Sequence, residues 1–144
     1  MNLSKILICS LGFLSAPVLY GQAAEPAEKP AEAEAVTVVK AEKLMDVLKA
    51  DPKIVIVDIR TPAEFEEGHL PKATNINFMS DEFTEELGKL DRDKTYLMHC
   101  KSGGRSTASL EIWKKLGFKK ILHLDTGIVG AEKAGVKLVK EEKK

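Results

Sequence analysis

The stretch IVIVDI, residues 54–59, constrains this chain more than any other. A β-branched run with no polar alternation is a strand covered on both faces, as in a parallel sheet sandwiched between helices. The patterns around it agree. Residues 36–39 read as a short strand, and the following AEKLMDVLKA sets Leu44, Val47 and Leu48 at helical spacing until Asp51 and Pro52 end it. Thr61 as cap, Pro62 in the first turn and Glu64 near the positive end of the dipole predict a short helix that Gly68 stops. Further strands are expected at 74–78, 95–99 and 121–124. Helices are expected at 80–90, capped by Ser80 or Asp81, at 106–116 and at 127–134, with an edge segment at 136–139. The helix at 106–116 sets Ala108, Ile112 and Leu116 on one face and closes at Gly117. Strands alternating with helices make the fold class α/β, a single domain with a mostly parallel central sheet and helices on both faces.

The ends of the chain read differently. One Lys and no acid precede an apolar run from Ile6 to Leu19, broken by Ser10, Gly12, Ser15 and Pro17 and followed by small residues at Gly21, Ala23 and Ala24. This is the pattern of a secretory signal peptide over residues 1–23, and the run is shorter than the roughly 20 apolar residues a membrane span needs. Cleavage after Ala23 or Ala24 would remove Cys9 and leave no stable membrane insertion, so the expected location is periplasmic or secreted. Residues 24–35 contain only Ala, Glu, Pro and Lys. They bury too little to offset ordering entropy, and Pro26 and Pro30 interrupt any helix, so a disordered linker is expected ahead of a domain at 36–144. Twenty-two basic residues balance twenty-two acidic ones. That neutrality supplies no field for phosphate backbones and argues against a nucleic-acid partner.

With the leader removed, Cys100 is the only cysteine, and it closes the predicted strand at 95–99 ahead of a glycine-bearing loop, CKSGGR, and a helix start. Open α/β sheets place ligands at that position. Free amides and the dipole at a helix N-terminus stabilise a thiolate or an oxyanion and lower the pKa of a cysteine there. Gly103 and Gly104 permit positive φ and inward amides, while Lys101 and Arg105 add positive charge. The candidate nucleophile is therefore Cys100, with Lys101, Ser102, Gly103, Gly104 and Arg105 forming the anion-binding loop. An inert buried thiol would explain neither the glycines nor the cations. His99 adjoins Cys100 but faces the other side of its strand. His69 is expected to brace a helix end and His123 to be a satisfied strand histidine. One cysteine with three scattered histidines matches no zinc spacing. Trp113 and the phenylalanines are assigned to packing.

Two segments resemble the rhodanese family of sulfurtransferases: VDIRTPAEFEEGHLPKATNI at 57–76 and CKSGGRS at 100–106, each in its expected place. The resemblance covers about residues 36–140 and implies that Cys100 accepts a sulfane sulfur and carries it as a persulfide, cradled by the amides of residues 101–105. The donor would be thiosulfate or a persulfide, and the acceptor cyanide or a thiol, with no metal and no organic cofactor. By the same resemblance Asp58 and Arg60 brace the core, Arg60 pairing with Glu64 or Glu67. Four residues separate Cys100 from Arg105, against five in the related phosphatases, and the shorter loop suits a lone sulfur, although Arg105 could still clamp an oxyanion. A periplasmic sulfur-carrier or thiol-binding module with little turnover of its own is the alternative, and a phosphatase the third. The family's paired glycines and last-helix tryptophan are replaced here by Asp125-Thr126-Gly127 and Ala131. With a single domain, no second domain closes over the site, so open access is expected.

Overall fold

The computed structural model describes residues 35–140; the expected leader, nearly all of the expected linker, Cys9 and residues 141–144 lie outside the described residues. Five strands form one sheet: β1 (Val36–Val39), β2 (Val55–Asp58), β3 (Thr74–Asn75), β4 (Thr95–His99) and β5 (Lys120–Leu124). They run in the order β1-β5-β4-β2-β3, and every pairing is parallel. The helices are α1 (Leu44–Ala50, after a 3-10 turn at Ala41–Lys43), α2 (Pro62–Glu67), α3 (Phe83–Gly88), α4 (Gly104–Lys115) and α5 (Gly127–Lys133).

The IVIVDI run becomes β2, flanked by β4 and β3, and its residues divide by parity between two cores. Val57 and Ile59 join Phe83 and Leu87 of α3 and Trp113 of α4 on one side. Ile56 joins Leu44 of α1 and Ala131 of α5 on the other. Period-two alternation between two apolar layers is what a buried parallel strand requires. The first layer is centred on an aromatic cluster in which Trp113 lies 4.7 Å from Phe118 and 5.7 Å from Tyr96 between ring centroids.

Three expectations are corrected. The strand at 74–78 is only two residues long, because Asn77 and Ser80 organise a turn by accepting from Met79 N and Glu82 N. The helix expected at 80–90 spans Phe83–Gly88, and no side chain caps it. In α4 the buried positions are Ser106, Ser109 and Trp113, whereas Ala108 is exposed and Ile112 and Leu116 are only partly covered. Ser106 and Ser109 can face inward because their hydroxyls bond to Gly103 O and Ser106 O, which satisfies buried polar groups that burial would otherwise penalise.

The chain moves outward from β2 to β3 on one side, then returns across β2 to β4 and on to β5. The β2–β4 junction is the point where the strand order reverses, and in open α/β sheets the crevice beyond the C-terminal ends of such strands is where ligands bind. Asp58 ends β2 and Cys100 follows β4 at that junction.

Candidate active site

Strand parity sets the thiol's direction. Tyr96, Met98 and Cys100 all belong to the α4-side core and Leu97 to the other, so His99 follows Leu97 away from the sulfur. Its Nδ1 lies 3.1 Å from Cys100 O, and its Nε2 is buried without a hydrogen-bond partner, 3.8 Å from Asp58 Oδ2. Burial, opposed by the Asp58 charge, holds the pKa of His99 below its ordinary value.

After Cys100 the chain turns back on itself. Gly103 caps α4 at φ 99°, and a Cβ there would stand 1.8 Å from Asp125 O. Only glycine fits both the left-handed backbone and that approach. Gly104 differs from expectation: it opens the helix without positive φ, and a Cβ on it would meet nothing within 4 Å. The loop carbonyls point outward, where Cys100 O and Lys101 O accept from the α5 amides of Ile128 (2.9 Å) and Val129 (3.1 Å). Gly127 makes this contact possible, since its Cβ would lie 2.4 Å from Lys101 O and 2.6 Å from Cys100 O. Of the segment that departs from the resembled family, Gly127 therefore keeps a necessary place, and Ala131 is buried in the second core.

With its carbonyls so occupied, the loop turns amides toward the sulfur. Gly103 N donates to Cys100 Sγ at 3.2 Å, and Ser106 Oγ lies 3.5 Å from Sγ. Burial pushes the thiol's pKa up. The Ser106 hydroxyl and the amides of Ser106, Ser102 and Gly103 outweigh it, so Cys100 titrates below its ordinary value. Cys100 is only 1% exposed, which corrects the expected open access. The physical reason is local: a loop tight enough to aim amides at a sulfur also covers it.

The cations are arranged otherwise than expected. Arg105 donates from both terminal nitrogens to Glu64, at 2.7 and 2.8 Å, so its fork is already filled by a carboxylate. A cation in the first turn of α4 opposes the helix dipole, and Glu64 offsets that cost. The Arg105 hydrogen bonds, with those of Thr61, bring Glu64 down to about 2 against the burial that raises it. The same carboxylate completes a capping box on α2 by accepting from Thr61 N at 3.1 Å. Arg60 does not pair with Glu64 or Glu67. It binds Asp58 through Nε and a terminal nitrogen, the latter at 2.6 Å, and also donates to Gly68 O. Lys101 and Ser102 are exposed at the rim.

Of the remaining histidines, His69 holds a structural position and His123 stands next to Ser106. His69 stacks on Phe65 at 3.8 Å, its Nδ1 lies 3.0 Å from Phe65 O, and its backbone pairs with Val139. His123 places Nε2 2.9 Å from Ser106 Oγ. Ser106, Glu64 and His123 were not among the expected site residues. Parity offered a signal for the last, because His123 shares the α4 side of β5 with Ile121. Among the described residues no group of His, Cys, Asp or Glu could hold a metal ion, and no helix is long and apolar enough to cross a membrane.

Comparison with known proteins gives a consistent result. Residues 40–134 match the family described as the rhodanese-like domain. A probable adenylyltransferase/sulfurtransferase of Mycobacterium tuberculosis is 34% identical over 103 residues, covering 72% of this chain but only 26% of that protein. The chain thus spans about a quarter of the length of several curated relatives it matches. A sulfurtransferase of Allochromatium vinosum is 27% identical over 72% of this chain and 95% of its own length. The crystal structure of a rhodanese-related protein from Thermoplasma volcanium superposes with a TM-score of 0.64 at 30% identity, over 72% of this chain and 98% of that one.

Proposed function

The chain belongs to the rhodanese-like family, and from that premise we propose that it moves a sulfane sulfur from thiosulfate or a persulfide to cyanide or a thiol through Cys100. The observation that carries this reading is the sulfur's setting, with the Gly103 amide at 3.2 Å, the Ser106 hydroxyl at 3.5 Å and the N-terminus of α4 beneath it. The Cys100 thiolate attacks the outer sulfur of thiosulfate. The S–S bond breaks, sulfite leaves with the electron pair, and a Cys100 persulfide remains. The acceptor then attacks the outer persulfide sulfur and returns the electron pair to Cys100. The same inward dipoles stabilise the starting thiolate and the persulfide anion. Lys101, Ser102, Gly104 and Arg105 complete the loop around the transferred sulfur.

The filled fork of Arg105 favours this chemistry over phosphoryl transfer, because an oxyanion would have to displace Glu64. The near-complete cover over Cys100 favours small donors and acceptors over a carrier role that depends on a protein thiol. We place the protein in the periplasm or outside the cell on the strength of residues 1–23 alone.

Mass spectrometry tests the reading. After reduction and incubation with thiosulfate, the Cys100 peptide gains one sulfur atom, and cyanide removes it as thiocyanate. Cys100→Ser keeps the fold and loses both events. A variant that still converts thiosulfate and cyanide to thiocyanate overturns the assignment. Discharge only to a protein thiol would instead support the carrier.

A further inference from the structure

Two buried side chains, Ser106 and His123, form a line behind the nucleophile that the transfer reaction, as described, does not use in full. Ser106 Oγ lies 2.9 Å from Gly103 O, 2.9 Å from His123 Nε2 and 3.5 Å from Cys100 Sγ. Ser106 and His123 are both buried, at 0% and 4% exposure, so the contacts among them decide where their protons go. A hydroxyl has one proton and two lone pairs. If His123 accepted at Nε2, that proton would be spent on the imidazole and the sulfur would lose a donor. If Nε2 carries the hydrogen, the imidazole donates to Oγ and the hydroxyl proton is left for Gly103 O or Cys100 Sγ. Gly103 O already accepts from Thr107 N at 2.9 Å. Once the sulfur is negative, a charge-assisted bond to it is the stronger choice.

We infer that His123 is a positioning residue: by donating from Nε2 to Ser106 Oγ it commits the Ser106 hydroxyl proton to the Cys100 sulfur whenever that sulfur is anionic. This rests on the reading of Cys100 as the sulfur-carrying nucleophile. The fold supports the arrangement from two elements at once. His123 stands on β5 opposite Met98 of β4 and shares the α4 side of the sheet, while Ser106 is in the first turn of α4. Burial, opposed by the Asp125 charge, keeps His123 below its ordinary value, so the ring is neutral near pH 7 and holds a single N–H to place. The charged groups acting on the line are Asp125 on His123, itself paired with Lys40 at 2.7 Å, and Arg105 near Cys100, itself paired with Glu64. Neither supplies a hydrogen bond to Ser106 Oγ.

The test reads the thiol directly. Rates of Cys100 alkylation by iodoacetamide across pH give the titration of the sulfur without any sulfur donor. Ser106→Ala is expected to move that titration up by about one unit, a tenfold change in the ionisation equilibrium, and His123→Leu by a smaller but measurable amount, because the hydroxyl stays and its proton is freed to turn to Gly103 O. The double variant is expected to move it no further than Ser106→Ala, because both remove one hydrogen-bonded line. His123→Gln, which keeps a side-chain N–H within reach, is expected to recover most of the shift. A merely structural histidine would lower the melting temperature and leave the thiol titration in place. A wild-type titration in folded His123→Leu overturns the proposal. If His123→Leu does not fold, His123→Asn decides, since its amide is too short to reach Oγ: an upward shift supports the proposal and an unchanged titration overturns it. Persulfide formation by the wild-type protein is followed separately with thiosulfate, so failure of the sulfur-transfer reading shows there and not in the alkylation titration.

Discussion

Glu64 serves two elements at once, because its carboxylate accepts from Thr61 at the start of α2 and from Arg105 at the start of α4. The cap of α2 and the ion pair at the first turn of α4 therefore share one side chain. The glycines of the loop divide just as sharply. At Gly103 the backbone is left-handed and the space is filled by Asp125 O, whereas at Gly104 the backbone is helical and the space is open. Gly103→Ala is expected to destabilise the domain by about 1–3 kcal/mol or more, since strain and a backbone clash act together. Gly104→Ala is expected to be neutral or slightly stabilising, within about 1 kcal/mol, because Ala is the better helix former. Urea midpoints of the two variants check the pair, and equal losses would contradict the geometry.

The end of β2 and the start of α2 are joined by a buried ion pair. Asp58 and Arg60 are two residues apart, so the pleat turns both to one side, and the bidentate bond forms almost within the strand itself. Asn75 ties the edge strand to the same point by donating to Asp58 O and Arg60 O at 2.9 and 2.8 Å. Asp58→Ala would leave a buried guanidinium with Gly68 O as its one remaining acceptor among the described residues, and is expected to cost about 3–5 kcal/mol. Replacing both members with apolar residues of similar volume is expected to restore part of that stability. Denaturation of the single and double variants measures the difference, and a single variant within 1 kcal/mol of wild type, on the order of a surface change, would show that the pair is not the brace described.

At the scale of the whole molecule, two buried histidines and Glu64 act on the pH response with opposite chemistry. His99 and His123 are both held below the reference value of 6.5 chiefly by burial. Below that value the unfolded chain binds protons at these rings that the folded chain refuses, so stability is full above 6.5 and declines as pH falls past it. Glu64, with a folded value of about 2 against 4.5, adds stability that is present above 4.5 and is lost as pH falls toward 2. The expected profile is a first decline below about pH 6.5 and a second between about 4.5 and 2. Urea midpoints at pH 7.5, 5.5 and 3.5 check it, and a midpoint unchanged from pH 7.5 to 5.5 contradicts the burial of the two histidines.

What the sequence determined by itself is local. The β-branched run at 54–59 needs cover on both faces whatever surrounds it, Thr61 and Glu64 cap a helix through atoms three residues apart, and Cys100 ahead of Gly103 and a helix start is a thiol facing free amides. Those features come from periodicity, capping and glycine geometry, which act over a few residues. Tertiary structure decided the partners. Asp58, Arg60, Glu64 and Arg105 admit more than one set of ion pairs, since Coulomb attraction does not name its partner. The parallel register of β2, β4 and β5 brings Glu64 to Arg105 across 41 positions and leaves Arg60 to Asp58. The same register sets His123 behind Ser106. Hydrogen bonds and exclusion of water depend on positions in space, and those exist only once the strands have paired.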